Sequence, residues 1–249
     1  MYLDEIIYED CDKIISEYFI ELAKFNNKNI LITGGAGFLL SYFVDLIHIL
    51  NTTYKLNIKL DVYDNLFHGI PQRLKKKNKN IIFFNKDISI IKNLKKDYNL
   101  IIHGASIASP VFYKKNPIET IKVNTLGLFN LLDILHNKKM NNKNFIYMSS
   151  SEVYGDPLDS YIPTDEEYNG NVSFTGPRAC YDESKRVGET ICYSYFQKKN
   201  IPIKIIRPFN VYGPGQSLND QRIIPELLKF IKSNKDIILT SNGSHTRSF

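Results

Sequence analysis

The sequence predicts an α/β protein built on a doubly wound parallel sheet, and three observations carry that prediction. Short apolar runs alternate with amphipathic stretches along most of the chain. The first such run, "KNILIT", passes through the glycine-rich "GGAGF" straight into an apolar helical pattern. The 249 residues, 43% hydrophobic and 23% charged, also supply enough apolar material for a sizeable core. Alternation of this kind implies parallel strands with helices on both faces of the sheet.

Element by element, the pattern begins with Ile7, Cys11, Ile14, Tyr18 and Leu22 at helical spacing. They predict an amphipathic leading helix that packs on the domain or on a partner subunit. The "KNILIT" strand, the glycine turn and the helix around "FLLSYFVDLIHIL" form the first βα unit. The next strand, "LNIKLDVYDNL", carries Asp64 at its end, and "IIFF" carries Asp87 three residues on. "NLIIH" is followed by Gly104 and Ala105, small residues that would let a ligand lie against the backbone. A helix from Ile118 to His136, the strand "NFIYM", a helix holding Tyr181 and the strand "IPIKIIRP" complete the alternation. After Pro208 it weakens into "FNVYGPGQSLNDQR", one helix and a short strand "DIILT". The expected organisation is a helical extension over 1–27, a nucleotide-binding domain over 28–208 and the start of a further lobe over 209–249.

Two constellations carry chemistry. At the glycine turn, Gly34 and Gly35 allow dihedrals barred to other residues, and Gly37 lets backbone approach a pyrophosphate at the helix N-terminus. Phe38 and Leu39, the next two residues, join Gly34 and Gly37 as candidate cofactor contacts. Leu40 stands where a third glycine is usual, so closer helix–strand packing is not expected there. Asp64 suits a ribose 2′-hydroxyl and repels a 2′-phosphate, which favours NAD over NADP. The bland alternative is a glycine turn with no ligand.

The second constellation is "RACYDESKRVGETICYSYF", with Tyr181 and Lys185 four apart on one helical face, downstream of Ser149, Ser150 and Ser151. Lowering a phenol pKa from about 10 to near 7 needs roughly 4 kcal/mol of preferential phenolate stabilisation. A unit positive charge at about 4 Å supplies roughly that at an effective dielectric near 20. Lys185 is therefore expected to activate Tyr181 almost alone. Read blandly, the serines are a loop after a strand, and Glu152 is a solvated carboxylate. Asn210 is then a turn residue before Gly213 and Pro214, Asp87 a cap, and His103 a packed strand-end residue.

With these residues in view, the chain from about Lys28 to Phe249 resembles the extended short-chain dehydrogenase/reductases of the NAD-dependent epimerase/dehydratase family. Within that family it is most similar to the UDP-glucuronate decarboxylase branch. The matching segments are "DNLFHG", "HGASIASPVFYKKNPIETIKVNTLG", "SSSEVYGDP", "GPRACYDESKRVGET", "RPFNVYGPG" and "TRSF". The resemblance implies a Rossmann-like fold, NAD as cofactor and a UDP-linked sugar as substrate, with decarboxylation through a 4-keto sugar. A 4,6-dehydratase, a 4-epimerase or a catalytically idle NAD-binding protein are the alternatives. It implies Tyr181, Lys185, Ser150 and Glu152 as catalytic residues, with Lys185 also on the nicotinamide ribose. It implies Gly34, Gly37, Phe38, Leu39, Asp64, Asp87, Gly104 and Ala105 on the cofactor, and Asn210 and Arg247 on the substrate. Family members continue beyond "TRSF", so the substrate lobe is expected to be incomplete. A homodimer formed through "NPIETIKVNTLGLFNLLDIL" and the Tyr181 helix is the family expectation.

Charge and composition bound the rest. The net charge of +6 is spread along the chain, and only Lys75, Lys76 and Lys77 form a run, so no nucleic-acid partner is expected. Cys11, Cys180 and Cys192 lack metal-ligand spacing and leave one unpaired in any disulfide scheme, which fits a reducing cytoplasm and no metal site. The start "MYLDEIIYED" does not resemble a signal peptide, and no segment is apolar over a bilayer's thickness.

Overall fold

The structure, a computed structural model, describes residues 3–67, 79–138 and 144–237. Six strands form one sheet in the order β3-β2-β1-β4-β5-β6. They are β1 Asn29–Thr33, β2 Lys59–Asp64, β3 Ile81–Asn85, β4 Leu100–His103, β5 Asn144–Met148 and β6 Ile203–Ile206. Every pairing is parallel. All strands therefore end on one edge, and the order reverses between β1 and β4, where such sheets hold ligands. The helices are α1 Leu3–Ala23, α2 Phe38–Thr52, α3 Pro110–Tyr113, α4 Pro117–Asn137, α5 Ala179–Lys199 and α6 Ile223–Lys232. The "DIILT" segment lies largely outside the described residues, and Asp236 and Ile237 are not in a strand.

The two-residue period of the strands sorts the core into two layers. Leu31, Ile101 and Phe145 point to the face covered by α4 and α5, where Leu128, Leu131, Leu132, Leu135, Ile191 and Cys192 meet them. Ile30, Ile32, Leu60, Val62, Leu100 and Ile102 point to the opposite face, beneath Leu40, Val44, Ile47 and Leu50 of α2. Helices thus cover both faces of the sheet, as the alternation of strand and helix signals along the sequence predicted.

The leading helix extends the second layer. Ile7, Cys11 and Ile15 are buried in it, and the Tyr54 hydroxyl donates to Asp12 at 2.7 Å. The helical spacing put Ile14 and Tyr18 on the buried face, but they are 44% and 49% exposed. The helix is kinked at Tyr18, whose φ of −117° and ψ of 23° are not helical. The buried stripe runs 7, 11, 15 and continues at partly buried Leu22, each step a helical spacing. Because Ile15 is fully buried, Ile15→Ala is expected to lower unfolding stability by about 2–5 kcal/mol. Urea denaturation monitored by far-UV circular dichroism checks this, and a melt unchanged by the substitution would show α1 to be dispensable to the core.

Candidate active site

The site is assembled on the edge where the strands end, from turns that follow β1, β2, β4 and β5. Gly34 has φ +78°, and a Cβ there would lie 2.7 Å from the Ala105 nitrogen and 2.8 Å from the Gly104 carbonyl carbon. It meets both the dihedral and the close approach that favour glycine. Gly35 differs from expectation, since its φ is not positive; a Cβ there would instead meet Val62 Cγ1 at 2.5 Å. Gly37 caps α2 without any side-chain hydrogen bond, and no acidic residue sits in the first turn. The amides of Phe38 and Leu39 therefore face an anion-binding helix end with no side chain capping them.

Leu40 stands in place of a third glycine and is buried. Close packing is recovered across the sheet edge, because a Cβ at Gly104 would lie 2.6 Å from Leu40 Cδ1. The large residue on the helix is matched by a missing side chain in the turn after β4. Beyond Gly104, the Ser106 and Ser109 hydroxyls are buried without a hydrogen-bond partner among the described residues. An uncapped helix N-terminus, bare backbone at Gly34 and Gly104, and partnerless hydroxyls together fit a dinucleotide.

Asp64 ends β2 and braces the turn. Its Oδ2 accepts from the Ala36 amide at 3.0 Å and its Oδ1 from the Leu66 amide at 2.7 Å. Burial pushes its carboxyl pKa above the usual range, while the two amides pull it back. Asp87 accepts from the Ser89 amide at 2.8 Å and the Ser89 hydroxyl at 2.6 Å, so it closes a turn; no helix follows it before β4, so it is not the helix cap of the bland reading. His103 is buried, 2.7 Å from Thr33 Oγ1, and burial with the nearby Lys185 charge pushes its pKa down to about 3. A ring held neutral in this way is a packed strand-end residue.

The serine, tyrosine and lysine candidates converge after β5. Ser150 precedes a short 3-10 turn over Ser151–Tyr154, and its hydroxyl accepts from the Glu152 amide at 3.3 Å. Tyr181, in the first turn of α5, is 6% exposed and stacks on Tyr113 with centroids 5.2 Å apart. Lys185 Nζ donates to the Met148 carbonyl at 2.7 Å and lies 5.8 Å from the Tyr181 ring centroid. The expectation that Lys185 alone brings the phenol near neutrality is corrected here. Burial raises the Tyr181 pKa, and the opposing pull comes from the Ser150 hydrogen bond, with smaller effects from Arg222 and Arg178. Burial also pushes Lys185 down to about 8.

Glu152 is not a free solvated carboxylate, because it forms an ion pair with Arg178. Arg178 lies 3.6 Å from Asp182 as well, whose carboxyl burial pushes up to about 6 against the guanidinium's pull. Arg178 was missed in the sequence, although it sits three residues before Tyr181 in the same motif. Glu189 and Arg207 were missed too. Glu189, four residues after Lys185, takes a bidentate pair from Arg207 at 2.9 and 2.7 Å and accepts from Ser149 at 2.5 Å. The helical spacing of Lys185 and Glu189 was a usable signal; Tyr113, distant in sequence from Tyr181, left none. Asn210 is half-buried beyond β6, while Arg247 and Lys75–Lys77 lie outside the described residues.

Fold and site together define a nucleotide-binding protein of the doubly wound class, with a tyrosine–lysine pair beside the cradle. The family model described as NAD dependent epimerase/dehydratase family matches residues 30–249, and the chain belongs to that family. It is 36% identical over 233 residues to UDP-glucuronic acid decarboxylase 1 of Xenopus tropicalis, covering 92% of this chain and 52% of the relative. It is 38% identical over 224 residues to UDP-glucuronic acid decarboxylase 6 of Arabidopsis thaliana, covering 90% of this chain and 62% of the relative. The chain thus spans about half to three-fifths of the length of these relatives. Among solved structures, an epimerase from Methanothermobacter thermautotrophicus superposes with TM-score 0.76 at 25% identity, over 94% of this chain and 67% of that one. A dTDP-glucose 4,6-dehydratase from Bacillus anthracis, solved with NAD, gives TM-score 0.67 at 26% identity, over 87% of this chain and 65% of that one. No described helix is long and apolar enough to cross a membrane.

Two outcomes follow from this geometry. Gly34→Ala is expected to cost at least about 2 kcal/mol, from the left-handed backbone and the contact with residues 104–105. Thermal unfolding checks the stability, and an NADH fluorescence titration should show weakened binding. Lys185 has a folded pKa of about 8, below its unfolded value. Its buried charge is therefore a stability deficit that is full below about pH 8 and fades as pH rises through about 10.4. Lys185→Met is expected to raise stability at pH 7 by about 2–3 kcal/mol, with the gain shrinking towards pH 10. Urea denaturation at both pH values measures it.

Proposed function

We propose that this chain is the NAD-binding part of a nucleotide-sugar decarboxylase that converts UDP-glucuronate to UDP-xylose. The observation that carries the reading is the convergence of Tyr181, Ser150 and Lys185 beside the Gly34 turn, in a chain 36–38% identical to UDP-glucuronic acid decarboxylases. The glycine turn, the amides of Phe38 and Leu39, and the backbone at Gly104 and Ala105 would hold the dinucleotide. Asp64 and Asp87 would face its adenosine half. When bound, NAD supplies the acceptor for the sugar's C4 hydride and later returns that hydride.

Tyr181 is read as the base at the C4 hydroxyl, taking its proton into a phenolate that accepts a hydrogen bond from Ser150. Burial keeps the phenol protonated at rest, so its ionisation must be coupled to substrate and cofactor arriving. Lys185 adds positive charge at that moment and would hold the nicotinamide ribose. Once C4 is a ketone, the C5 carboxylate belongs to a β-keto acid; the bond from C5 to the carboxyl carbon breaks, carbon dioxide leaves, and the bonding pair stays on the sugar as an enolate with its charge on the C4 oxygen. Glu152, held by Arg178, is read as steering the proton that C5 gains in place of its carboxylate. Asn210 and Arg247 are read as substrate contacts. Exposed Ile118, Ile121, Phe129, Val187, Tyr193 and Phe196 on α4 and α5 support a homodimer through these helices. The free cysteines support a cytoplasmic setting.

Incubation of the purified chain with NAD and UDP-glucuronate, followed by mass spectrometry, tests the reading. Loss of carbon dioxide with formation of a UDP-pentose is the expected outcome. Loss of water would point to a 4,6-dehydratase and an unchanged mass with altered stereochemistry to a 4-epimerase. Intact substrate with bound NAD would mark a cofactor-binding protein. Tyr181→Phe is expected to lower kcat by about 10²–10⁴-fold, and full turnover in that variant would remove Tyr181 from the mechanism.

A further inference from the structure

Beside the catalytic candidates lies a buried phenol that the proposed chemistry does not use. Tyr147, on β5, is 1% exposed, and its hydroxyl has no hydrogen-bond partner among the described residues. Its tip occupies a notch that α5 leaves at Gly188, where a Cβ would lie 2.1 Å from Tyr147 Oη and 2.7 Å from Cζ. The His103 ring stacks on it at 5.9 Å with a 27° interplanar angle. Lys185 Nζ lies 5.1 Å from the Tyr147 ring centroid and 5.8 Å from that of Tyr181. The ammonium therefore has two aromatic rings within cation–π range and donates to one backbone carbonyl, Met148.

We propose that Tyr147 is a positioning residue for Lys185, its ring seated in the Gly188 notch and holding the ammonium beside Tyr181 by a cation–π contact. The inference rests on the reading that Lys185 serves Tyr181. A lysine 3% exposed has lost most of its hydration, and one carbonyl cannot replace what water supplied to three N–H donors. An aromatic ring offers negative electrostatic potential at that point, and such contacts strengthen where water is excluded. Packing alone does not account for the choice, because an aliphatic side chain would fill the layer without burying a hydroxyl that finds no acceptor. Gly188 is part of the device, since any side chain there would displace the ring tip.

The test reads Lys185 directly in the cofactor-free chain, by NMR titration of 13Cε-labelled lysine with Lys185→Met used for assignment. Three proteins are compared: the unaltered chain, Tyr147→Phe, and Tyr147→Leu/Gly188→Ala, whose added methyl refills the vacated notch. The first two are expected to titrate alike. The double variant is expected to titrate about half to one pH unit lower, since the charge stays dry and loses its ring. Equal titration in all three overturns the proposal. So does an upward shift in the double variant, which would mean that Tyr147 only keeps water out. Should the double variant not fold, the unaltered chain decides: Lys185 Hε resonances shifted upfield, with nuclear Overhauser contacts to the Tyr147 ring, are expected, and their absence overturns the idea. Neither measurement uses substrate or NAD, so its failure is distinct from failure of the decarboxylase reading.

Discussion

The Glu189–Arg207 pair is the joint on which the candidate site depends. Glu189 stands on α5 one turn beyond Lys185, and Arg207 follows the last strand of the sheet. The bidentate contact ties helix to strand end, and the Ser149 hydrogen bond adds the end of β5 to the same carboxylate. Arg207 then reaches the Tyr154 hydroxyl and the Glu166 carbonyl, each at 2.8 Å. Four segments are thus fixed by one charge pair. Planar fork-to-fork geometry sets orientation as well as distance, so the serine turn and the Tyr181 helix are held in one mutual pose. Ser150 can face Tyr181 because Ser149, its neighbour, is anchored from behind.

Desolvation sets the electrostatics inside that frame. Tyr181, Lys185 and His103 lie within one dry layer, and burial is the first cause of all three shifts. Each group is driven towards its neutral form: the phenol keeps its proton, while the amine and imidazole tend to lose theirs. A tyrosine proposed as the base is therefore held in its neutral, protonated form at rest. Opposing charges, Arg178 and Arg222, sit near enough to act on the phenol, and Arg178 is itself tied to Glu152. The Ser150 hydrogen bond is the largest pull opposing burial of the phenol, and Arg222 and Arg178 act more weakly.

What could be read in the sequence was what is local. Strand alternation, the glycine turn and the four-residue spacing of Tyr181 and Lys185 are short-range patterns, and the structure carries each of them. The misread features depend on contacts distant in sequence. The buried stripe of α1 takes Ile15 and not Ile14 because 7, 11, 15 and 7, 11, 14 are both helical spacings, and which of them faces the domain is settled only by the packing against α2. Leu40 looked like a loss of close packing because its compensation, Gly104, comes from the turn after β4, distant in sequence. Lys185 looked sufficient to activate Tyr181 because spacing gives proximity but not burial. Spacing also gave no hint that Nζ would rest on Met148.

Asp64 shows how fold and proposed cofactor choice are coupled in this chain. Its position at the end of β2 suggested a carboxylate available for a ribose. In the structure both oxygens already accept amides, one from the glycine turn and one from the residue two positions on. Each oxygen keeps a second lone pair, so a ribose hydroxyl can still be accepted without releasing the turn. A residue that replaced Asp64 to admit a 2′-phosphate would also have to replace the acceptor for Ala36. The Ala36 amide belongs to the turn whose backbone lies against Gly104 and Ala105. On the proposed role of Asp64, selectivity between the two dinucleotides would not be an independent property of one side chain, because the same carboxylate shapes the cradle through its hydrogen bonds.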